Sequence, residues 1–138
     1  MISGNRFGKP SGVSEYKRQA IQTASPLELV LMLYSAGIRE CELGIQASRE
    51  KRLEEQHKHF TKAQRIISEL AASLDMEKGG EIATNLFGLY SFCLNRLTEA
   101  NINDNPKPAE ESLKILSDLR ESWQEIADNK REDIRNAV

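Results

Sequence analysis

Apolar residues recur at intervals of three and four along most of this chain, and one stretch is apolar almost all the way round. From Leu27 to Tyr34 only Glu28 interrupts a run of Leu, Val, Met and Tyr. Ser25 is a good N-cap, Pro26 suits the first helical position, and Glu28 stands where a capping-box carboxylate reaches back to the cap. A helix therefore starts here and continues through Ile38, Cys41 and Ile45. A single packed stripe cannot satisfy its first two turns. Either the helix lies at the centre of the fold, or part of its surface is kept for a partner.

The segments around it read in turn. Residues 1–12 are rich in Gly, Ser, Asn and Pro with little to bury, which predicts a disordered tail. Residues 13–22 form a short helical candidate with Val13, Tyr16, Ala20 and Ile21 on one side. It is too short to stand alone in water, so it docks on the body or frays, which makes it a natural switch. No Gly or Pro marks the end of the central helix. A turn is placed near Lys51 because one helix reaching Leu74 would be unusually long. Phe60, Ala63, Ile67, Leu70 and Leu74 then make one clean stripe, and Gly79-Gly80 breaks the chain. From about Glu81 to Ala100 two stripes run side by side, Ile82, Leu86, Leu89, Cys93 and Leu97 beside Ala83, Phe87, Tyr90 and Leu94. After a polar loop over residues 101–105, Asn105 and Pro106 open a last helix with the stripe Ala109, Leu113, Leu116, Leu119, Trp123 and Ile126. Residues 128–138 are charged and read as a frayed tail.

No segment alternates as a strand. The pattern predicts an all-α fold, an antiparallel four-helix bundle over residues 13–127 with a short additional N-terminal helix acting as a cap. The helices beginning at Ser25 and Glu81 carry more apolar surface than one bundle seam uses. That surplus predicts a surface groove lined by these two helices and partly covered by the N-terminal segment; the alternative is that splayed packing buries all of it.

Composition narrows the function classes. At 138 residues the chain suits one domain with a real core. Nineteen basic against 21 acidic residues leave a net charge of −2, which argues against nucleic acid as a partner. No apolar run approaches the ~18 residues of a membrane span, and residues 1–12 lack the hydrophobic segment of a secretory signal, so no membrane insertion is expected. Cys41 and Cys93 show neither disulfide nor zinc spacing, which fits a cytosolic protein with two core thiols.

Catalytic chemistry is thin. His57 and His59 point to different faces of a helix, and Glu54-x-x-His57 has no second Glu-x-x-His with which to build a di-iron site. Gly79-Gly80 follows a helix and lacks the spacing and the Lys of a phosphate loop. His59-Phe-Thr-Lys62-Ala63 is similar to the His-x-x-Lys-Gly of histidine phosphotransfer bundles, although Ala63 stands where those have Gly. That reading requires an exposed His59 and is the alternative from another functional class. No enzyme activity, no metal and no cofactor are expected.

Several spaced motifs resemble one family. Thr23-Ala-Ser-Pro26 followed by Leu31-Met-Leu-Tyr34, the block Glu77-Lys-Gly-Gly-Glu-Ile-Ala83 with Asn85-Leu86 and Leu89-Tyr90, then Asn95-Arg-Leu97, Ala100-Asn101 and Trp123 are similar to the flagellar secretion chaperones of flagellin, the FliS family. The resemblance covers residues 13–127. It implies a cytosolic helical bundle that binds the disordered C-terminal segment of flagellin one to one, prevents premature polymerisation and delivers the subunit to the flagellar type III export gate protein. Other flagellar regulators are further candidate partners. The family's apolar-x-x-Tyr element is matched by Val13-x-x-Tyr16, which the resemblance makes a movable cap. The expected groove residues are Ile21, Leu31, Tyr34, Ile38, Ile82, Leu86 and Tyr90. Ser35-Ala36 and Ser91 stand where family members often have Asp-Gly and Asp.

Overall fold

The computed structural model describes residues 25–137, which form four helices: α1 (Pro26–Arg49), α2 (Leu53–Ala72), α3 (Met76–Asn103) and α4 (Pro106–Ala137). The expected tail over residues 1–12 and the short helix over 13–22 lie outside the described residues. α1 opens on the capping box: Glu28 N–H donates to Ser25 Oγ at 3.2 Å, and Ser25 N–H donates to Glu28 Oε1 at 3.1 Å. These contacts draw the Glu28 carboxyl below its usual range. α1 ends where expected, in a tight turn with Lys51 in the left-handed region at φ 59° and Arg52 N–H returning to Ala47 O at 2.8 Å.

Two boundaries differ from the sequence reading. α3 begins at Met76, ahead of Glu81, because Asp75 caps it by accepting from Lys78 N–H at 2.9 Å. The glycine break survives inside the helix: Gly80 has φ 51° and ψ −126°, so one short turn precedes a kink. α4 runs on through Ala137, and residues 128–137 continue it as helix rather than ending near Ala127. Gln124 and Arg131 both reach the Asp128 carboxylate, at 3.0 and 3.2 Å, pairs one turn apart of the kind that support a solvated helix.

α1 packs against α2 and α4, and α3 packs against the same two, so the helices close a ring with α1 and α3 on its diagonal. The core is filled from all four by Tyr34, Cys41, Phe60, Ile67, Leu70, Tyr90, Cys93, Leu97 and Leu116. At Gly44 a Cβ would lie 2.4 Å from the Phe60 ring, so glycine is what lets α1 and α2 approach. Register is pinned between neighbours by Gln64 donating to Thr98 Oγ1 at 2.7 Å, Ser112 Oγ donating to Cys93 O at 3.0 Å, and the Arg49–Glu110 ion pair.

Candidate functional site

The expected groove residues separate once the ring is formed. Leu31, Tyr34 and Tyr90 are buried inside the bundle and line no surface. Ile38 and Leu86 are half-buried and packed on the core. Of the six that are described, Ile82 alone is well exposed, at 71 %. Ile21, Val13 and Tyr16 lie outside the described residues. Among the described residues α1 and α3 lie on the diagonal and meet in the interior, so they line no shared surface groove there.

That meeting is a pair of tyrosines. The hydroxyls of Tyr34 and Tyr90 are 2.5 Å apart, with ring centroids at 6.3 Å and planes tilted by 52°. Burial raises both phenol pKa values; in Tyr34 the hydrogen bonds from Tyr90 and Trp123 work against it, and in Tyr90 the bond to Tyr34 adds to it. Burial likewise pushes the Cys41 thiol up to about 12 and the Cys93 thiol to about 11. Four weakly acidic hydrogens are thus held in the core, alongside the buried polar side chains of Ser48, Gln56 and Ser112.

The surplus apolar surface lies instead on two separate faces. On one, Leu29, Met32, Leu33 and Ala36 of α1 meet Glu69 and Ser73 at the end of α2 to line a crevice of about 510 Å³. On the other, Ile82, Leu89 and Phe92 are exposed along one side of α3, while Phe87, two residues from Leu89, is exposed on a different side of that helix. Leu29, Met32 and Leu33 sit in the all-round apolar run that opens α1, and Ile82, Phe87 and Leu89 sit in the doubled stripe of α3, so the surplus was visible in the pattern. Which members of each run face inward depends on the neighbours that each helix acquires. Ser35 accepts from Arg120 Nε at 2.7 Å and so faces α4.

His59 is not the exposed residue that phosphotransfer requires. Its side chain is 15 % exposed, with Nδ1 2.7 Å from Glu40 Oε1 and Nε2 3.8 Å from Glu55 Oε2. Two carboxylates against the ring repel an incoming phosphoryl group, where that chemistry uses a cation. His57 takes a separate partner, with Nδ1 2.8 Å from Asn101 Nδ2. Among the described residues no group of His, Cys, Asp and Glu is arranged to hold a metal, and no helix is long and apolar enough to cross a membrane.

Comparison with known proteins gives a consistent result. The sequence profile of the family described as "Flagellar protein FliS" matches residues 10–130. The flagellar secretion chaperone FliS of Salmonella typhimurium is 36 % identical over 129 residues, covering 85 % of this chain and 90 % of that one. The protein of the same name from Vibrio cholerae is 31 % identical over 115 residues, covering 80 % and 85 %. That from Bacillus subtilis is 30 % identical over 118 residues, covering 86 % and 87 %. A crystal structure of a bacterial flagellar chaperone superposes with a TM-score of 0.71 at 20 % identity, over 86 % of this chain and 99 % of that one, a likeness of fold.

Proposed function

The chain belongs to the FliS family of flagellar proteins, and from that premise we propose that it is a cytosolic secretion chaperone whose client is the C-terminal segment of flagellin. The observation that carries this reading is the apolar surface left over when the core is complete: the α1/α2 crevice and the outer face of α3. A client segment that is disordered when free folds as it binds, at a cost of about 2–5 kcal/mol. Anchors such as Leu or Ile contribute ~1.5–3 kcal/mol each when fully buried, so a few of them exceed that cost. An amphipathic helix laid in the crevice and a second contact on α3 hold one client per chaperone, with no need for nucleotide.

Because these faces lie on different sides of the ring, the client wraps the bundle, and its polymerising surface is covered while it is held. Val13 and Tyr16 act as a movable cap over part of the client surface. Displacement of this cap leaves Val13 and Tyr16 available to the export gate protein, and other flagellar regulators compete for the same surfaces.

Titration calorimetry of the full chain with a flagellin C-terminal peptide tests the reading. The expected result is one-to-one binding with a negative heat-capacity change, altered affinity when Val13 and Tyr16 are both changed to Ala, and no change in His59→Gln. Absence of binding at high micromolar peptide would sink the assignment.

A further inference from the structure

The two kinds of sulfur in this protein are placed oppositely. Cys41 and Cys93 have no exposed surface, and burial holds their thiols protonated, so neither offers a thiolate to an oxidant. Among the described residues the thioethers are outside: Met32 is 39 % exposed and Met76 47 % exposed. A thioether needs no deprotonation to react, so accessibility alone sets its susceptibility. Of these two, Met32 forms part of the wall of the α1/α2 crevice, between Leu29 and Leu33.

We propose that Met32 is an oxidation site through which hydroperoxides weaken docking in the α1/α2 crevice, an inference that rests on reading the crevice as a client surface. In the step, a sulfur lone pair attacks one oxygen of hydrogen peroxide. The S–O bond forms as the O–O bond breaks, sulfur is oxidised by two electrons, and the other oxygen leaves as water. The sulfoxide so formed is a strong hydrogen-bond acceptor in a wall that has no donor to give it. Leu29, Leu33 and Ala36 are apolar, Glu69 brings a carboxylate, and the Ser73 hydroxyl already donates to Leu70 O at 2.8 Å. The sulfoxide therefore keeps water in the crevice, and an apolar partner has to strip that water to dock. Sulfoxide reductases reverse the change, which makes it a switch rather than a lesion.

The test treats the full chain with hydrogen peroxide, maps the products by peptide mass spectrometry, and measures flagellin C-terminal peptide binding before and after. Met32 is expected to convert while both cysteines remain thiols. Peptide affinity should fall about tenfold, the equivalent of losing one apolar anchor. The Met32→Leu variant should bind before and after treatment alike, Met76→Leu should lose affinity as the unaltered chain does, and sulfoxide reductase should restore binding. Full conversion of Met32 with unchanged affinity overturns the proposal, as does conversion of Met76 with Met32 intact. If the untreated chain does not bind the peptide, the chaperone reading fails separately. An apolar dye then reports on the crevice: oxidation-dependent loss of dye that is absent in Met32→Leu supports the site, and unchanged dye binding overturns it.

Discussion

Tyr34, Tyr90, Cys41 and Cys93 place four weak acids in the core, each with its pKa raised by burial. The sign of the consequence follows from linkage. A group whose folded pKa lies above its unfolded value contributes stability that is fully present below the unfolded pKa and is lost as pH rises through the folded one. The thiols have an ordinary value of 9.0 and folded values of about 12 for Cys41 and about 11 for Cys93. Urea unfolding should therefore show stability constant to about pH 9 and falling steadily above it. Changing both cysteines to Ala should move the onset toward the ordinary tyrosine range near pH 10. Both thiols should resist alkylation in the native protein at pH 8 and react once it is unfolded. Nothing in the spacing of these residues along the chain said that two tyrosines would share a hydrogen bond, since 56 positions separate them. That each belongs to an apolar stripe was legible.

The kink in α3 is the element-scale feature with the clearest physical cause. Gly80 takes φ 51° and ψ −126°, while a Cβ added there would touch nothing within 4 Å. Any cost of substitution is therefore backbone strain. Gly80→Ala should lower stability by about 1–3 kcal/mol by denaturant titration, with no change in the core. Gly79→Ala acts differently, since its Cβ would lie 2.6 Å from that of Ala83 and must displace a buried side chain. The glycine pair was readable as an interruption. That Asp75 would start the helix one turn ahead of it was not read from the pattern, because an N-cap matters only once its helix is placed. The same limit applies at the far end, where charged residues past Ala127 carry no stripe yet continue α4 through short-range pairs such as Arg131–Asp128.

At the scale of the whole molecule, the ring arrangement turns one predicted groove into two faces. This changes which substitutions report on function. Leu31→Asp puts a charge into the core and should unfold the protein, since Leu31 is 7 % exposed. Met32→Asp in the crevice and Phe92→Asp on α3 should leave the helical circular dichroism intact and each weaken flagellin-peptide binding about tenfold or more. Lying on separate faces with no shared partner, their effects should multiply in the double variant to within about twofold. A double variant no weaker than either single one would mean that the client uses one face only.

The sequence by itself determined the helices, their order and the excess of apolar residues on two of them, together with the family to which the chain belongs. These are local properties: caps, glycines and the three-four spacing act within a turn or two of chain. Only the tertiary structure decided that the two richest helices lie on a diagonal, so that Tyr34 and Tyr90 meet inside while Met32 and Phe92 remain outside. A helix that is apolar all round presents every face as a candidate core. The neighbours it acquires decide which face becomes core, and packing four helices into a ring leaves the outward faces of α1 and α3 on separate sides of the bundle.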